Sequence, residues 1–366
     1  MKKFLKSFYV SLVKKIFDII YSNITLADNS FFLRNVKENI VKLGTADEKS
    51  YKIYEIQNAR IYSDLSENVA VIKKKFLLPK VSIQLSKNYL IEEKYNQILN
   101  TGTRKFIQKK IKGNLLSLVQ GASAINNYGH WMMDIIPKLL IVEKKQNLND
   151  FDSIYLPNIN KNFQKDTLKF FNINFSKIIN GSEIRHIFAD KITIPQHPYW
   201  VINKYQMETV ANIDPNIVKL VREKFLKNIK PNNFKKIFID RSDSNFFHNQ
   251  IENYKEVCEI LDKKNFTRLK LTNLSFEEQM SYFNNAEVIV GGHGAGLCNT
   301  LFCKPGTMLI ELANTINKCN MFRNISVINN MQHHKIESLK EPPKNRMKPD
   351  IFVDKSKLED LLKDYT

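Results

Sequence analysis

Residues 286–312 read Ala286-Glu287-Val288-Ile289-Val290-Gly291-Gly292-His293-Gly294-Ala295-Gly296-Leu297-Cys298-Asn299-Thr300-Leu301-Phe302-Cys303-Lys304-Pro305-Gly306-Thr307-Met308-Leu309-Ile310-Glu311-Leu312. An apolar run, Val288 to Val290, breaks into a turn with four glycines and one histidine in six residues. A segment able to be helical follows, from Leu297 to Phe302, and Pro305-Gly306 leads into a second apolar run. The pattern is strand, glycine turn, short helix, turn, strand. Glycine lets the backbone come close to a ligand. The first N–H groups of the following helix lack internal partners and carry the positive end of its dipole. Such a turn suits a phosphate, and His293 adds a side-chain donor to it. The competing reading is a tight turn that binds nothing.

The stretches upstream fit the same architecture. Lys236–Asp240 reads as a strand, Tyr254–Lys263 as a helix of 3.6-residue period, and Phe266–Leu271 as a strand. Ser275–Asn284 reads as a helix with Ser275 and Glu278 forming a capping box. Strands alternating with helices give a parallel sheet covered on both faces, and such sheets bind ligands at the carboxyl ends of their strands. Arg241 follows the strand Ile237-Phe238-Ile239, where its planar fork could grip a diphosphate or merely pair with Asp240 or Asp243. Glu311 ends the last apolar run, placed to accept hydrogen bonds from ribose hydroxyls or a base edge, or to cap a neighbouring helix.

Asp214-Pro215 is an N-cap followed by proline, opening a helix to about Asn228. The polar Lys230-Pro231-Asn232-Asn233 after it reads as the domain boundary. Toward the N-terminus the pattern is mixed, with β-type runs at Tyr51–Ile56, Val69–Ile72, Val81–Leu85, 115–119, Ser153–Leu156, Ile178–Ile179 and Lys191–Ile194. Between the strand at 115–119 and an apolar helix lies Gly129-His130-Trp131-Met132-Met133-Asp134. His130 and Asp134 are four apart and share a helical face, which suits either a general base with its orienting carboxylate or a packing pair. Asp150-Phe151-Asp152 is a DxD, but it precedes a strand where a metal-binding DxD follows one, and it reads as loop polarity. His333-His334 lacks neighbouring ligands, and no metal site is expected.

The 366 residues suffice for two domains, and the 43% hydrophobic and 25% charged fractions are ordinary for globular protein. The net charge of +19 implies an anionic partner. Nucleic acid would call for basic residues clustered with aromatics, whereas here lysine is diffuse, which speaks against it. The four cysteines are spaced for neither a zinc site nor a disulfide framework, as in a reducing cytoplasm. No apolar run is long enough to span a bilayer, and no signal-peptide signature is present. Residues 1–20 are amphipathic: Phe4, Leu5, Phe8, Leu12, Ile16 and Ile19 share one face, with Lys2, Lys3, Lys6 and Lys14 mainly off it and Lys15 beside it. The helix either docks on the domain or lies on an anionic membrane as a peripheral element.

Taken together, these residues resemble glycosyltransferase family 61. Gly129-His130-Trp131 through Leu139 is similar to its GHWxxDxxP+L segment, and Ile237–Arg241 to its hYhSR strand. Leu274–Gln279, Ala286–Gly291 and His293–Asn299 resemble its LSFxEQ…AxVVVGxHGAGLxN block, and Pro305-Gly306-Thr307 with Glu311 its PGTxhhEh. The resemblance implies an α/β, GT-B-like fold, two Rossmann-like domains with parallel sheets facing across a cleft. With the boundary at 230–233 the chain divides into the N-terminal helix 1–20, a domain 21–212, a domain 230–335, and a tail with a helix at 336–366, and the resemblance makes the first of these domains the acceptor side and the second the nucleotide-sugar-binding one. It implies an inverting, metal-independent transfer from a nucleotide-sugar to a glycan or lipid-linked glycan, with no cofactor, in bacterial capsular or surface polysaccharide assembly on the cytoplasmic side of the membrane. By position, Arg241, His293, Gly294, Ala295, Gly296 and Asn299 would bind the donor, with Glu311 near the nucleoside and His130 or Asp134 as the base. The chain departs from the family pattern at Asn245-Phe246-Phe247-His248-Asn249, where further arginines are common, and at Asn253-Tyr254, where Asn-Glu is common. A non-catalytic nucleotide-sugar-binding or scaffolding member is therefore the alternative.

Overall fold

In the computed structural model the described residues are all but 1, 45–48, 65–67, 87–88, 120–125, 205, 243–248, 317–318, 341–348 and 366. They form two compact units, Met1–Val210 and Ala211–Thr366. The division falls before the polar segment at 230–233. The helix Pro215–Phe225, capped by the Asp214 carboxylate on the Asn216 N–H, belongs with the second unit. Its Arg222 donates to the carbonyls of Leu301 and Cys303.

The first unit is built on a mixed sheet of nine strands. Ser50–Ser63 is the longest, at 14 residues, and pairs antiparallel with Val36–Lys42, Val69–Lys73 and His186–Pro195. His186–Pro195 then pairs in parallel with Lys109–Ser117, followed in parallel by Ser153–Leu156 and Ile178–Asn180. The core between sheet and helices gathers Phe32, Tyr54, Ile61, Leu115, Tyr155 and Ile192.

The second unit holds five strands: β1 (Lys236–Ile239), β2 (Thr267–Leu269), β3 (Val288–Gly292), β4 (Met308–Ala313) and β5 (Gln332–Glu337). All are parallel, in the order β2-β1-β3-β4-β5. Every residue of β3 and β4 is buried, because helices cover both faces of such a sheet. The capping box is present, with the Glu278 N–H on the Ser275 hydroxyl and the Ser275 N–H on the Glu278 carboxylate. The tail joins this core: Ile351, Val353, Leu358 and Leu362 pack with Phe238, Leu261 and Ile336.

The α/β class with parallel strands is thus observed. The N-terminal helix, Lys2–Tyr21, docks through Val13 and Phe17, which lie around the helix from the apolar face read in the sequence. Leu5, Phe8, Leu12, Ile16 and Ile19 of that face are exposed.

Candidate functional site

The strand order of the second unit reverses between β1 and β3. Sheets of this order open a crevice at that point, outside the carboxyl ends of the two strands. Arg241 leaves β1 there and His293 leaves β3 there.

The two ends touch. Arg241 Nη1 donates to the His293 carbonyl, and Asn249 Nδ2 donates to the same oxygen at 3.1 Å. The guanidinium lies so close to Gly294 that a Cβ there would sit 2.0 Å from Nη1. A side chain at position 294 would push the guanidinium away from this turn. Asp240 is not the partner of Arg241. Its carboxylate accepts the Tyr254 hydroxyl and the Ser242 N–H, both at 2.9 Å.

After the turn the chain forms a 3₁₀ helix, Ala295–Phe302. Such helices seldom exceed three or four residues. This one has eight, and side chains from its surroundings hold its carbonyls. Asn329 donates to those of Thr300 and Leu301, Asn284 to that of Phe302, and Arg222 to that of Leu301. At its start the Ala295 and Gly296 N–H groups make no hydrogen bond among the described residues. The fixed helix therefore presents donors at the turn.

Glu311 corrects its sequence reading. It does not end the run; it lies inside the six-residue β4, 1% exposed. Its Oε1 accepts from His293 Nδ1 at 2.5 Å and its Oε2 from His333 Nε2 at 2.8 Å. Burial would raise its pKa, but the two imidazole donors outweigh that and hold it at about 2. The carboxylate is a fixed anion joining two rings, each of its oxygens already accepting from an imidazole. The rings bond to the carboxylate instead of converging with it on a common point. His333 stands on β5 diagonal to Glu311, since Leu309 pairs with His333 and Glu311 with Lys335.

In the first unit, Asn127 caps a short helical turn by accepting the His130 N–H at 3.2 Å. Trp131–Ile135 then widens into a π turn, in which the Ile136 N–H reaches the Trp131 carbonyl. Pro137 explains it: proline has no N–H for the Met133 carbonyl and its ring crowds that position. Asp134 sits in the widened turn, fully buried, and accepts from His130 Nδ1 at 2.9 Å. On its other oxygen His197 Nε2 approaches to 3.3 Å. Burial would raise the Asp134 pKa, but the two histidines, His130 foremost, bring it to about 2. Burial pushes His197 down to about 3, so this ring is neutral. Lys138, one turn on, is buried too, and burial lowers it to about 7. His130 keeps 28% of its side chain accessible, while Asp134 has none.

The structure thus joins Arg241, His293, Gly294, Ala295 and Gly296 in one turn, with Glu311 behind it. Asn299 is not part of the turn's surface. It is fully buried and donates to Gln279 Oε1 at 3.0 Å, tying the 3₁₀ helix to the helix Phe276–Asn285. The Asp152 carboxylate accepts the Asn114 N–H at 2.7 Å, a turn-stabilising role in keeping with loop polarity. Residues 245–248 of the altered arginine region lie outside the described residues. Asn253 donates to the Val353 carbonyl at 3.0 Å and so holds the tail. Sequence reasoning missed His197 and His333 as partners of the two carboxylates, and Lys138 as a buried cation. For His333 a signal existed, its place in an apolar-flanked segment after β4. For His197 there was none.

The chain matches the family model Glycosyltransferase 61 over residues 128–310. It is 24% identical to the beta-1,2-xylosyltransferase RCN11 of Oryza sativa subsp. japonica over 132 residues, 32% of this chain. That match spans 25% of the rice protein's length. Among solved structures it is similar to the bacterial iron-containing dodecameric glycosyltransferase TibC of enterotoxigenic E. coli H10407, at 9% identity and a TM-score of 0.27, covering 80% of this chain and 79% of that one. That score is too low to inform the fold.

Proposed function

The chain belongs to glycosyltransferase family 61, and on that premise we propose that it moves a sugar from a nucleotide-sugar donor to a glycan hydroxyl with inversion, without a metal ion. The observation that carries the proposal is the Arg241–His293 turn at the switch point of the parallel sheet.

The leaving nucleotide diphosphate gains negative charge as the glycosidic bond breaks. Arg241 and the Ala295 and Gly296 amides meet that charge with fixed donors. His293 adds a third element. A carboxylate only accepts, so His293 Nδ1 must carry the proton it gives Glu311. A neutral ring would then turn a lone pair at Nε2 toward a phosphate oxygen. Diphosphate binding therefore selects the doubly protonated ring, with Glu311 as its counter-anion.

Attack on the opposite face of the sugar needs a base on the acceptor hydroxyl. Of the two candidates, only His130 has accessible surface. Asp134 keeps the proton on Nδ1 and leaves Nε2 as the lone-pair nitrogen, the logic of a histidine oriented by a carboxylate. His130 is the base and Asp134 its positioning residue. The acceptor is a bacterial surface glycan or its lipid-linked precursor, a reading supported by the family resemblance.

Calorimetry against a panel of nucleotide-sugars tests this. One donor should bind, and Arg241→Ala should weaken it about tenfold to a hundredfold, the range for lost charge-assisted hydrogen bonds. Unchanged affinity in that variant overturns the donor site. Donor binding without turnover on any glycan acceptor would point to the non-catalytic alternative.

A further inference from the structure

The helix Lys2–Tyr21 uses one face to hold the first unit and leaves another uncovered. Val13 and Phe17 are the buried face. Tyr21 adds a hydroxyl bond to the Phe106 carbonyl, and Phe17 packs with Ile24, Ile72, Leu77 and Ile98. About a third of a turn away, Leu5, Phe8, Leu12, Ile16, Ile19 and Ile20 form a stripe along the helix, 37% to 84% exposed. The spacing of three and four residues is that of a single helical face. A contiguous apolar stripe of this size on a folded surface marks an interaction site.

We propose that this stripe lies in the headgroup region of an anionic phospholipid bilayer, with the helix parallel to the surface. The charge on the helix decides between occupants. It carries five lysines against one acidic residue, Asp18, which Lys14 already pairs. Lys6 and Lys15 are exposed, and Arg104 lies over the Tyr9 ring at 4.6 Å, a further cation on the flank. Long basic side chains reach headgroup phosphates while the apolar stripe enters the acyl boundary. A second copy of the chain would bring like charges together on a helix already rich in them. The whole chain, at +19, adds attraction toward a negative surface. The helix lies on the membrane and does not cross it, since among the described residues no helix is long and apolar enough to span. This inference is independent of the donor site.

Flotation of the full chain with vesicles tests it. Phosphatidylcholine vesicles holding about one third phosphatidylglycerol should carry the protein, and pure phosphatidylcholine vesicles should carry far less. Ile19→Glu and Phe8→Glu should each lower partitioning about tenfold or more, the equivalent of one large apolar side chain withdrawn. Both positions are exposed, so the melting temperature should not move, and it serves as the control for folding. Equal flotation of wild type and variants, or no flotation of wild type on anionic vesicles, overturns the proposal. So does a wild-type dimer in sedimentation velocity that Ile19→Glu splits, because a second copy would then be the occupant.

Discussion

Each unit holds one buried carboxylate gripped by two histidines, and the two clusters are not alike. Asp134 makes a 2.9 Å hydrogen bond to His130 and a looser 3.3 Å approach to His197. Glu311 makes two good hydrogen bonds, at 2.5 and 2.8 Å. The His197 ring is sealed in, stacked on Trp200 at 3.9 Å, and neither of its nitrogens has a full hydrogen bond. In the second unit both rings keep about a tenth of their surface. A lone accessible imidazole on a buried anion suits proton transfer. Two nearly covered imidazoles on one anion suit the holding of another anion. On the proposed function, the same residue types serve two kinds of chemistry because burial differs.

The comparison can be broken at several points. His130→Ala should lower kcat by about a hundredfold to ten-thousandfold, as loss of a general base does, with donor affinity unchanged. A parallel loss of donor affinity, read by calorimetry, would end the division of labour between the clusters. Glu311→Ala should cost about 3 kcal/mol or more in urea unfolding, since it strips the anion from two buried rings. Glu311→Gln should keep most of that stability yet weaken donor binding, because a neutral amide cannot balance a doubly protonated His293. Equal donor affinity in the two proteins would defeat the counter-anion role.

The smallest effect is acid sensitivity. Asp134, Glu311 and His197 all have folded pKa values below their ordinary ones of 3.8, 4.5 and 6.5. The stability each lends is complete above its ordinary value and drains as pH falls toward the folded one. His197 therefore opens the loss just below pH 6.5 and extends it toward about 3. The carboxylates follow below 4.5. His186, which burial holds down to about 4, drains stability in the same window, so His197→Gln should roughly halve the slope between pH 6 and 5 while leaving the steeper fall at lower pH, as read by urea unfolding across pH.

Four of the five strands of the second unit were legible, β1, β3 and β4 as apolar runs punctuated by glycine or proline; the polar edge strand β5, Gln332-His333-His334-Lys335-Ile336-Glu337, was not read. Ser153–Leu156 and Val69–Lys73 were equally plain in the first unit. The long strands there were read short: Tyr51–Ile56 is part of Ser50–Ser63, and Lys191–Ile194 part of His186–Pro195. Polar residues such as Gln57, Asn58 and Asp190 interrupt the pattern, while pairing on both sides of Ser50–Ser63 carries the strand through.

By itself the sequence determined the features that depend on near neighbours. These are the glycine turn after β3, an arginine at the end of β1, and a histidine and an aspartate one helical turn apart. Each is set by local spacing and backbone freedom, which the chain carries wherever it folds. Only the tertiary structure decided the rest. It gave Asp134 its second imidazole, turned Glu311 inward onto His293 and His333, drew Asn299 into the core, and docked the first helix on Val13 and Phe17. Those outcomes depend on strand register and on which faces meet, and a partner brought near by packing leaves no mark in the spacing of the chain.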